Sequence, residues 1–295
     1  MSAGSCSESS LLTVSALQQR LLEALMPLPV ENIPLEACLG RVLAGDVRAR
    51  VDNPRFDNAA MDGIALDEAG VAATPGCFFL QGSSLAGDPA LPPLQAGQAM
   101  RITTGARIPQ GTASVVVQEQ CRFTASQVEV MEQVRTGLNI RRKGEDFGVG
   151  QLLLAGGMRL LPRHLLLLAS QGLDRVSVIR QPVVAVLSSG DELRQPGQAL
   201  GDSGIYDSNR PYLLARLRQA GARVLDLGAI PDSLSASREA LRQAAARADL
   251  VVCSGGVSVG QADWLKTAVE EQGELLQWKV LLKPGTPVAC CLVDT

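Results

Sequence analysis

The chain has 295 residues, 46% of them hydrophobic and 19% charged, with a net charge of −3 at pH 7 and a sequence pI of about 5.4. This balance is typical of a soluble protein with a large core, and the length predicts roughly two or three domains. The mildly acidic charge argues against a broad nucleic-acid-binding surface.

Cysteine and histidine usage argues against several kinds of site. The seven cysteines form no C-x-x-C pair and lack metal-ligand spacing, which favours a reduced, cytoplasmic protein. The only histidine, His164, lies beside a run of leucines, so we expect it to be packed or to cap a helix. No apolar stretch approaches the ~20 residues that span a bilayer, and no signal peptide is recognisable, so no membrane association is expected.

The first 137 residues are predicted to contain an amphipathic helix followed by a small β-rich module. Leucines at helical spacing share one stripe over Ser15–Met26, and Pro27 and Pro29 end this helix. From Asp52 to about Gly137, prolines and glycines recur between short apolar bursts. That pattern is typical of short strands joined by many turns.

Three polar segments in the first half of the chain contain candidate site residues. Asp57 and Asp62 lie close together in the loop of residues 53–63, and Thr104 lies in a second polar turn. The segment 139–146 then places three cations before two carboxylates around one glycine. Each segment by itself fits turn chemistry or a solvated hairpin tip, and the alternative is a site that holds an anion beside a metal.

Strand and helix patterns alternate from Pro182 onward, after a predicted helix over Arg163–Ser170 and a strand over Val176–Val178. Such repeated βα units predict a mainly parallel sheet with helices on both faces. The predicted strands are Val183–Leu187, Val224–Ile230, Leu250–Val252 and Leu275–Leu282. The predicted helices are Pro211–Ala220, capped by Asp207–Asn209 and ended by Gly221, a segment capped by Ser233 or Ser235 that runs to Arg247, and Trp264–Gln272.

Polar residues follow all four predicted strands, and ligands of parallel sheets bind beyond the carboxyl ends of the strands. These strand ends are Ser189–Glu192, Pro231–Asp232, Ser254–Ser258 and Lys283–Gly285. The turn Ser254–Gly256 opens into a helix, so its backbone N–H groups suit a phosphate or other oxyanion. By itself the turn also fits an ordinary βα connection, since it has neither a Walker lysine nor a G-x-G-x-x-G spacing. Together the four ends predict an anion- or nucleotide-like ligand site.

Seven segments, in sequence order, resemble one family. They are FDNAAMDG, TTGARIPQG, NIRRKGED, SSGDEL, IYDSN, SGGVSVGQAD and KVLLKPGTP. Over nearly the whole chain from Leu12, the sequence resembles the MoeA family of molybdopterin molybdenumtransferases, which includes the gephyrin E domain. The resemblance implies an α/β multidomain fold with a parallel-sheet molybdopterin-binding domain and an elongated linking domain that carries an inserted β-rich module. The implied boundaries are 1–51 with 138–179 for the linking and dimerisation domain, 52–137 for the inserted module, and 180–295 for a C-terminally incomplete molybdopterin-binding domain.

The resemblance also implies a reaction. Family members insert molybdenum from molybdate into adenylylated molybdopterin and release AMP, with Mg²⁺ as the metal. The implied assembly is a cytoplasmic homodimer whose site joins the α/β domain of one subunit to the inserted module of the other, with a MogA-type adenylyltransferase as a further partner. The catalytic positions carried over are Asp62, Thr104, Asp146, Glu192, Asp232 and Asp263. The binding positions are Arg141, Ser254, Gly255, Gly256, Ser258, Lys279 and Lys283. Among the catalytic positions, Asp146, Glu192 and Asp232 are the implied metal ligands, because Mg²⁺ prefers carboxylate oxygens.

Two departures from the family pattern favour an alternative function. Thr286 stands where the family has the second lysine of K-P-G-K-P, a residue that would help to bind molybdate. The chain also stops at Thr295, before the C-terminal β-barrel domain of the family. The alternative is a non-catalytic molybdopterin-binding or scaffold protein. A second alternative is a molybdopterin adenylyltransferase, against which the M-D-G and G-E-D motifs argue.

Overall fold

The computed structural model describes residues 12–256, 264–281 and 287–293. The helices in these ranges are α1 Val14–Ala24, α2 Glu68–Ala72, α3 Pro162–Ser170, α4 Asn209–Ala220, α5 Leu234–Ala245 and α6 Trp264–Gln272. The strands are β1 Val30–Pro34, β2 Val42–Leu43, β3 Val47–Arg48, β4 Asn58–Ala59, β5 Gly63–Leu66, β6 Gly76–Ser84, β7 Gln98–Ile102, β8 Ser114–Val117, β9 Cys121–Phe123, β10 Gln127–Val130, β11 Ile140–Arg141, β12 Leu152–Leu154, β13 Arg175–Ile179, β14 Val183–Ser189, β15 Leu193–Arg194, β16 Ile205–Tyr206, β17 Arg223–Ile230, β18 Leu250–Ser254, β19 Gly273–Lys279 and β20 Pro287–Val293. The predicted α/β multidomain class is confirmed.

The described residues form two compact units. The α/β unit contains the described parts of residues 1–44, 159–161 and 175–295, and the β-rich unit contains residues 45–158 and 162–174. The division into three domains made from the sequence stays a prediction. Among the described helices, none combines the length and the apolar character that crossing a bilayer requires.

The β-rich unit is built on a six-stranded sheet in the order β8-β5-β7-β6-β10-β9. Neighbouring strands are antiparallel except β6 and β7, which pair in parallel. Apolar residues at alternate positions, such as Ile64 with Leu66 and Val128 with Val130, are buried in one core. This spacing places both members of a pair on one face of a strand, where aliphatic side chains pack well. The apolar bursts that the sequence analysis read as strands therefore form this sheet.

A short ribbon in the same unit joins two of the polar segments. Strand β4 pairs antiparallel with β11, so Ala59 lies opposite Ile140 and Asn58 opposite Arg141. The segments 53–63 and 139–146, which are far apart in sequence, are thereby neighbours.

The α/β unit contains the predicted parallel sheet, in the order β17-β14-β18. The central strand β14 is buried along almost its whole length, which explains its continuous apolar sequence. Helices α5 and α6 pack together through Leu241, Leu265 and Ala268. The predicted helix signals are also confirmed, since the Ser233 hydroxyl caps α5 and Gly221, at φ +97°, ends α4.

The predicted fourth parallel strand is wrong for the part of the chain that the structure describes. The predicted segment Leu275–Leu282 overlaps β19, which pairs antiparallel with β20 in a separate two-stranded ribbon. β19 follows α6 directly, and a second apolar segment, residues 287–293, follows within a few residues. Each segment therefore satisfies the backbone hydrogen bonds of the other locally. Three strands, not four, form the described parallel sheet.

A buried charged cluster holds the start of α4 against this sheet. The Ser188 hydroxyl donates to Asp207 Oδ2 at 2.6 Å, and Arg210 Nε donates to the same oxygen at 3.0 Å. Arg210 Nη1 also lies 2.7 Å from both carboxylate oxygens of Asp226. Asp207 also accepts the backbone N–H of Arg210, so its predicted capping role is confirmed. Burial opposes the charged form of Asp207, but the hydrogen bonds from Ser188 and Arg210 outweigh it and lower the pKa of Asp207.

Asp207→Asn should lower the free energy of unfolding at pH 7 by about 1–3 kcal/mol, because the buried Arg210 loses one of its two charged partners. The folded-state pKa of Asp207 lies below the ordinary value of 3.8. Its contribution is therefore complete above about pH 4 and is lost as the pH falls through the lowered pKa. Urea unfolding at pH 7 and near pH 3 measures this effect. The difference in free energy of unfolding between wild type and Asp207→Asn should be smaller near pH 3 than at pH 7. The exposed Asp202 supplies the control Asp202→Asn; a gap for Asp207→Asn that is equal at both pH values would contradict the prediction.

Gly63→Ala should weaken the six-stranded sheet, because an added Cβ would lie 1.8 Å from the backbone oxygen of Val116 on the neighbouring strand. We expect the free energy of unfolding to fall by about 1–3 kcal/mol. Gly45→Ala is the matched control in the same unit, since its Cβ would meet nothing within 4 Å, and its effect should stay within about 0.5 kcal/mol. Equal denaturation midpoints for the two variants would show that this close approach is unimportant.

Candidate functional site

The carboxyl ends of β14 and β17 are joined by polar contacts. The Ser189 hydroxyl donates to Asp232 Oδ1 at 2.7 Å, and the backbone N–H of Asp232 donates to Asp191 Oδ1 at 3.1 Å. The Glu192 carboxylate folds back over Gly190, with Oε2 2.7 Å from the position that a Cβ on Gly190 would occupy. The two predicted residues Glu192 and Asp232 thus lie at the same edge of the sheet, with Ser189 and Asp191 beside them.

The turn after β18 approaches this edge very closely. A Cβ on Gly255 would lie 2.3 Å from the Ser189 backbone oxygen, and one on Gly256 would lie 3.1 Å from Leu265 Cβ in α6. Both glycines have positive φ values, +93° and +70°. Only glycine combines this backbone conformation with this proximity. The prediction that the turn joins the polar ends of the other strands is therefore confirmed for three strands.

A contact from α4 completes this group. Asn209, the first residue of α4, donates from its side-chain amide to the Ser254 hydroxyl at 2.9 Å. Cys253, the residue before Ser254, plays no thiolate role, because burial raises the pKa of its thiol to about 12.

We define the sheet-edge cluster as Ser189, Asp191, Glu192, Asn209, Asp232 and Ser254–Gly256. From the sequence, Ser189 and Asp191 were noted only as parts of a polar strand end, and Asn209 was predicted only as part of a helix cap. All three lie in segments that carry the family resemblance, SSGDEL and IYDSN. The remaining predicted members, Ser258, Asp263 and Lys283, lie outside the described residues, as does the side chain of Lys279.

The β-rich unit brings Asp62 and Thr104 together. Asp62 Oδ1 accepts two hydrogen bonds from Thr104, one from the backbone N–H and one from the hydroxyl, both at 2.7 Å. The side-chain hydrogen bond, followed by the backbone one, lowers the pKa of Asp62. Asp62 is therefore an ionised, oriented carboxylate at neutral pH. Asp57, which the sequence analysis placed near Asp62, binds different partners and accepts from the backbone N–H of Lys143 at 2.7 Å and from Arg142 at 2.8 Å.

The loop after β11 pairs the other two predicted residues of this unit. Arg141 Nη2 lies 2.5 Å from Asp146 Oδ1, and Asn53 donates to Asp146 Oδ2 at 2.9 Å. Arg141 also lies 3.4 Å from Glu145. Arg141 and Asp146 therefore form a partly exposed ion pair, and both oxygens of Asp146 have partners. Among the described residues, no group of three or more His, Cys, Asp and Glu side chains is arranged to hold a metal ion.

Gly255→Ala should disrupt the sheet-edge cluster through contact with Ser189. We expect the free energy of unfolding to fall by about 2–4 kcal/mol, the sum of the cost of a positive φ and the cost of a backbone clash. Gly197→Ala is the matched control, because Gly197 has the same φ of +93° but nothing within 4 Å of its Cβ position, so its cost should be about 1 kcal/mol. Urea unfolding measures both variants, and identical losses would refute the close approach.

Two family models match the chain in order. The MoeA N-terminal region (domain I and II) matches residues 12–172, and the model described as "Probable molybdopterin binding domain" matches residues 185–293, which contain the whole sheet-edge cluster. A molybdopterin molybdenumtransferase from Haemophilus influenzae is 38% identical over 281 residues, which are 95% of this chain and 69% of that protein. A molybdopterin molybdenumtransferase from Nostoc is 35% identical over 270 residues, which are 90% of this chain and 62% of that protein. The chain thus spans roughly two thirds of the length of these curated relatives.

A solved structure is similar to the fold described above. The molybdopterin biosynthesis MoeA protein from Pyrococcus horikoshii aligns with a TM-score of 0.81 and 29% identity, over 97% of this chain and 73% of that one. Fold, motif order and family models therefore agree, and the chain belongs to the MoeA family, whose matched curated members are named molybdopterin molybdenumtransferases.

Proposed function

We propose that this chain acts in molybdenum cofactor biosynthesis and inserts molybdenum from molybdate into adenylylated molybdopterin with release of AMP. The observation that carries the proposal is the sheet-edge cluster. It combines two carboxylates, Glu192 and Asp232, with the glycine turn that follows β18, inside the region that matches a molybdopterin-binding model. Carboxylates and the backbone N–H groups of a glycine turn at one sheet edge suit a substrate with a pyrophosphate-type bond.

Each part of the cluster has a proposed role toward this substrate. The turn Ser254–Gly256 binds phosphate oxygens through its hydroxyl and backbone N–H groups. Glu192 and Asp232 hold Mg²⁺. These two carboxylates fit the ion, because Mg²⁺ needs only one or two carboxylates in addition to water and substrate phosphate. Asp232 keeps Oδ2 for this role, since the Ser189 bond uses Oδ1. When bound, the metal supplies neutralisation of phosphate charge.

The remaining assignments follow from the family resemblance. We propose a cytoplasmic homodimer, in which Asp62, Thr104, Arg141 and Asp146 act on the same substrate class. Asp146 is a further proposed metal ligand. To bind a metal, it would give up its contacts with Arg141 and Asn53. Asp263 has a proposed catalytic role, and Ser258, Lys279 and Lys283 are proposed to bind substrate or molybdate. A MogA-type adenylyltransferase is the proposed source of the adenylylated substrate.

The direct test incubates the chain with adenylylated molybdopterin, Mg²⁺ and molybdate and measures AMP release together with reconstitution of an apo-molybdoenzyme. We expect molybdate-dependent AMP release, which Asp232→Asn reduces at least tenfold because a metal-binding carboxylate is lost. Asp202→Asn, an exposed aspartate of the same unit, is the control and should retain wild-type rates.

Two outcomes would replace the proposal. Tight binding of the substrate without AMP release would identify a non-catalytic binder, which Thr286 at the position of the family lysine favours. Formation of the adenylylated substrate from molybdopterin and ATP would identify an adenylyltransferase.

A further inference from the structure

Asn209 holds the Ser254 hydroxyl at the sheet edge. Its Nδ2 donates to Ser254 Oγ at 2.9 Å, across 45 residues of sequence. Both residues lie at the ends of elements, Asn209 at the first position of α4 and Ser254 at the last position of β18. The contact therefore links the start of a helix to the turn that we propose binds phosphate.

The position of Asn209 is fixed by its neighbours in sequence. Asp207 and Arg210 flank it and are 3% and 6% exposed. Through these two residues the helix start is bonded to Ser188 on β14 and to Asp226 on β17. The bonds to Ser188 and Asp226 anchor this segment to the sheet, and two further bonds join Asp207 to Arg210, so the exposed Asn209 amide reaches Ser254 from a rigid base. An amide held in this way loses little conformational entropy when it forms its bond.

The direction of this bond determines what the Ser254 hydroxyl can do. Because Ser254 Oγ accepts a hydrogen from Asn209, it keeps its own hydrogen for a second partner. A hydroxyl that must donate suits an acceptor-only ligand such as a phosphate oxygen. If the amide were reversed, Ser254 would donate to Asn209, and its hydrogen would be unavailable to a ligand.

We propose that Asn209 is a positioning residue, which orients Ser254 Oγ so that it donates a hydrogen bond to a phosphate oxygen of the substrate. The inference rests on the proposed function and deepens it, since it concerns the phosphate-binding part of the same cluster. Asn209 acts through Ser254 and does not itself touch the substrate.

The test is a double-mutant cycle on the affinity of the full chain for adenylylated molybdopterin, measured at equilibrium in the absence of molybdate. Asn209→Ala should weaken binding about fivefold to tenfold, the size expected for one hydrogen bond. Ser254→Ala should weaken it by at least as much. The double variant should bind within twofold of Ser254→Ala alone, because the two residues act on one bond. Losses that multiply would overturn the proposal.

Asn209→Asp tests the direction of the bond. A carboxylate only accepts, so it would take the Ser254 hydrogen and also repel the phosphate, and binding should fall below that of Asn209→Ala. Wild-type affinity in Asn209→Asp would overturn the proposal, because it would mean that Ser254 donates to residue 209. Gln219→Ala, an exposed amide variant on the same helix, is the matched control and should bind like wild type.

Two further readouts separate positioning from a purely structural role. Asn209→Ala should raise KM and change kcat by less than twofold, with a melting temperature within about 2 °C of wild type. An equal fall in kcat with a lowered melting temperature would mean that the contact only supports the fold, and would overturn the proposal. Wild-type chain that binds substrate but releases no AMP would refute the proposed transfer reaction while the binding cycle still decides the role of Asn209.

Discussion

The sheet edge depends on one buried interaction, the pairing of the Arg210 guanidinium with the carboxylates of Asp207 and Asp226. A guanidinium stays charged in the protein interior, so it must keep its carboxylate partners there. Asp207 and Asp226 supply them from the start of α4 and from β17, and Ser188 on β14 bonds to Asp207. One cation therefore fixes the positions of two strands and a helix. The polar residues at the ends of these elements, Ser189 and Asn209 among them, are placed accurately as a consequence.

Close backbone approach is the second constraint on this edge. The turn after β18 can lie against Ser189 only because position 255 has no side chain and adopts a positive φ. This approach brings two features of different chemistry together, the backbone N–H groups of the turn and the carboxylate of Asp232, which Ser189 orients. An anionic substrate and the cation that neutralises it need neighbouring sites of these two kinds.

In the β-rich unit, the candidate site residues already bind one another. Its candidate side chains already have partners within the unit, because Asp62 accepts from Thr104 and Arg141 forms an ion pair with Asp146. A phosphate or oxyanion that binds Arg141 has to compete with Asp146, and a cation that binds Asp146 has to compete with Arg141. Both contacts orient these side chains, and the charges of Arg141 and Asp146 balance each other.

Much of this protein could be predicted from local sequence. The hydrophobic period, a cap at Ser233 or Ser235 and the stop at Gly221 predicted helices α4 to α6 within a few residues, because these signals act over one or two turns. The glycines and serine of the turn after β18 were predicted as a tight turn for the same reason. Seven motifs in order were sufficient to indicate the family.

Only the tertiary structure decided which residues meet. Asn209 and Ser254 are 45 residues apart, and no periodicity links them. The bond between Ser189 and Asp232 likewise depends on the pairing of β14 with β17. The predicted fourth parallel strand failed because its apolar pattern cannot distinguish a sheet strand from one arm of a hairpin, and β19 pairs with β20. Sequence determines which elements form, since that is a local matter, whereas partners are chosen by packing across the whole chain.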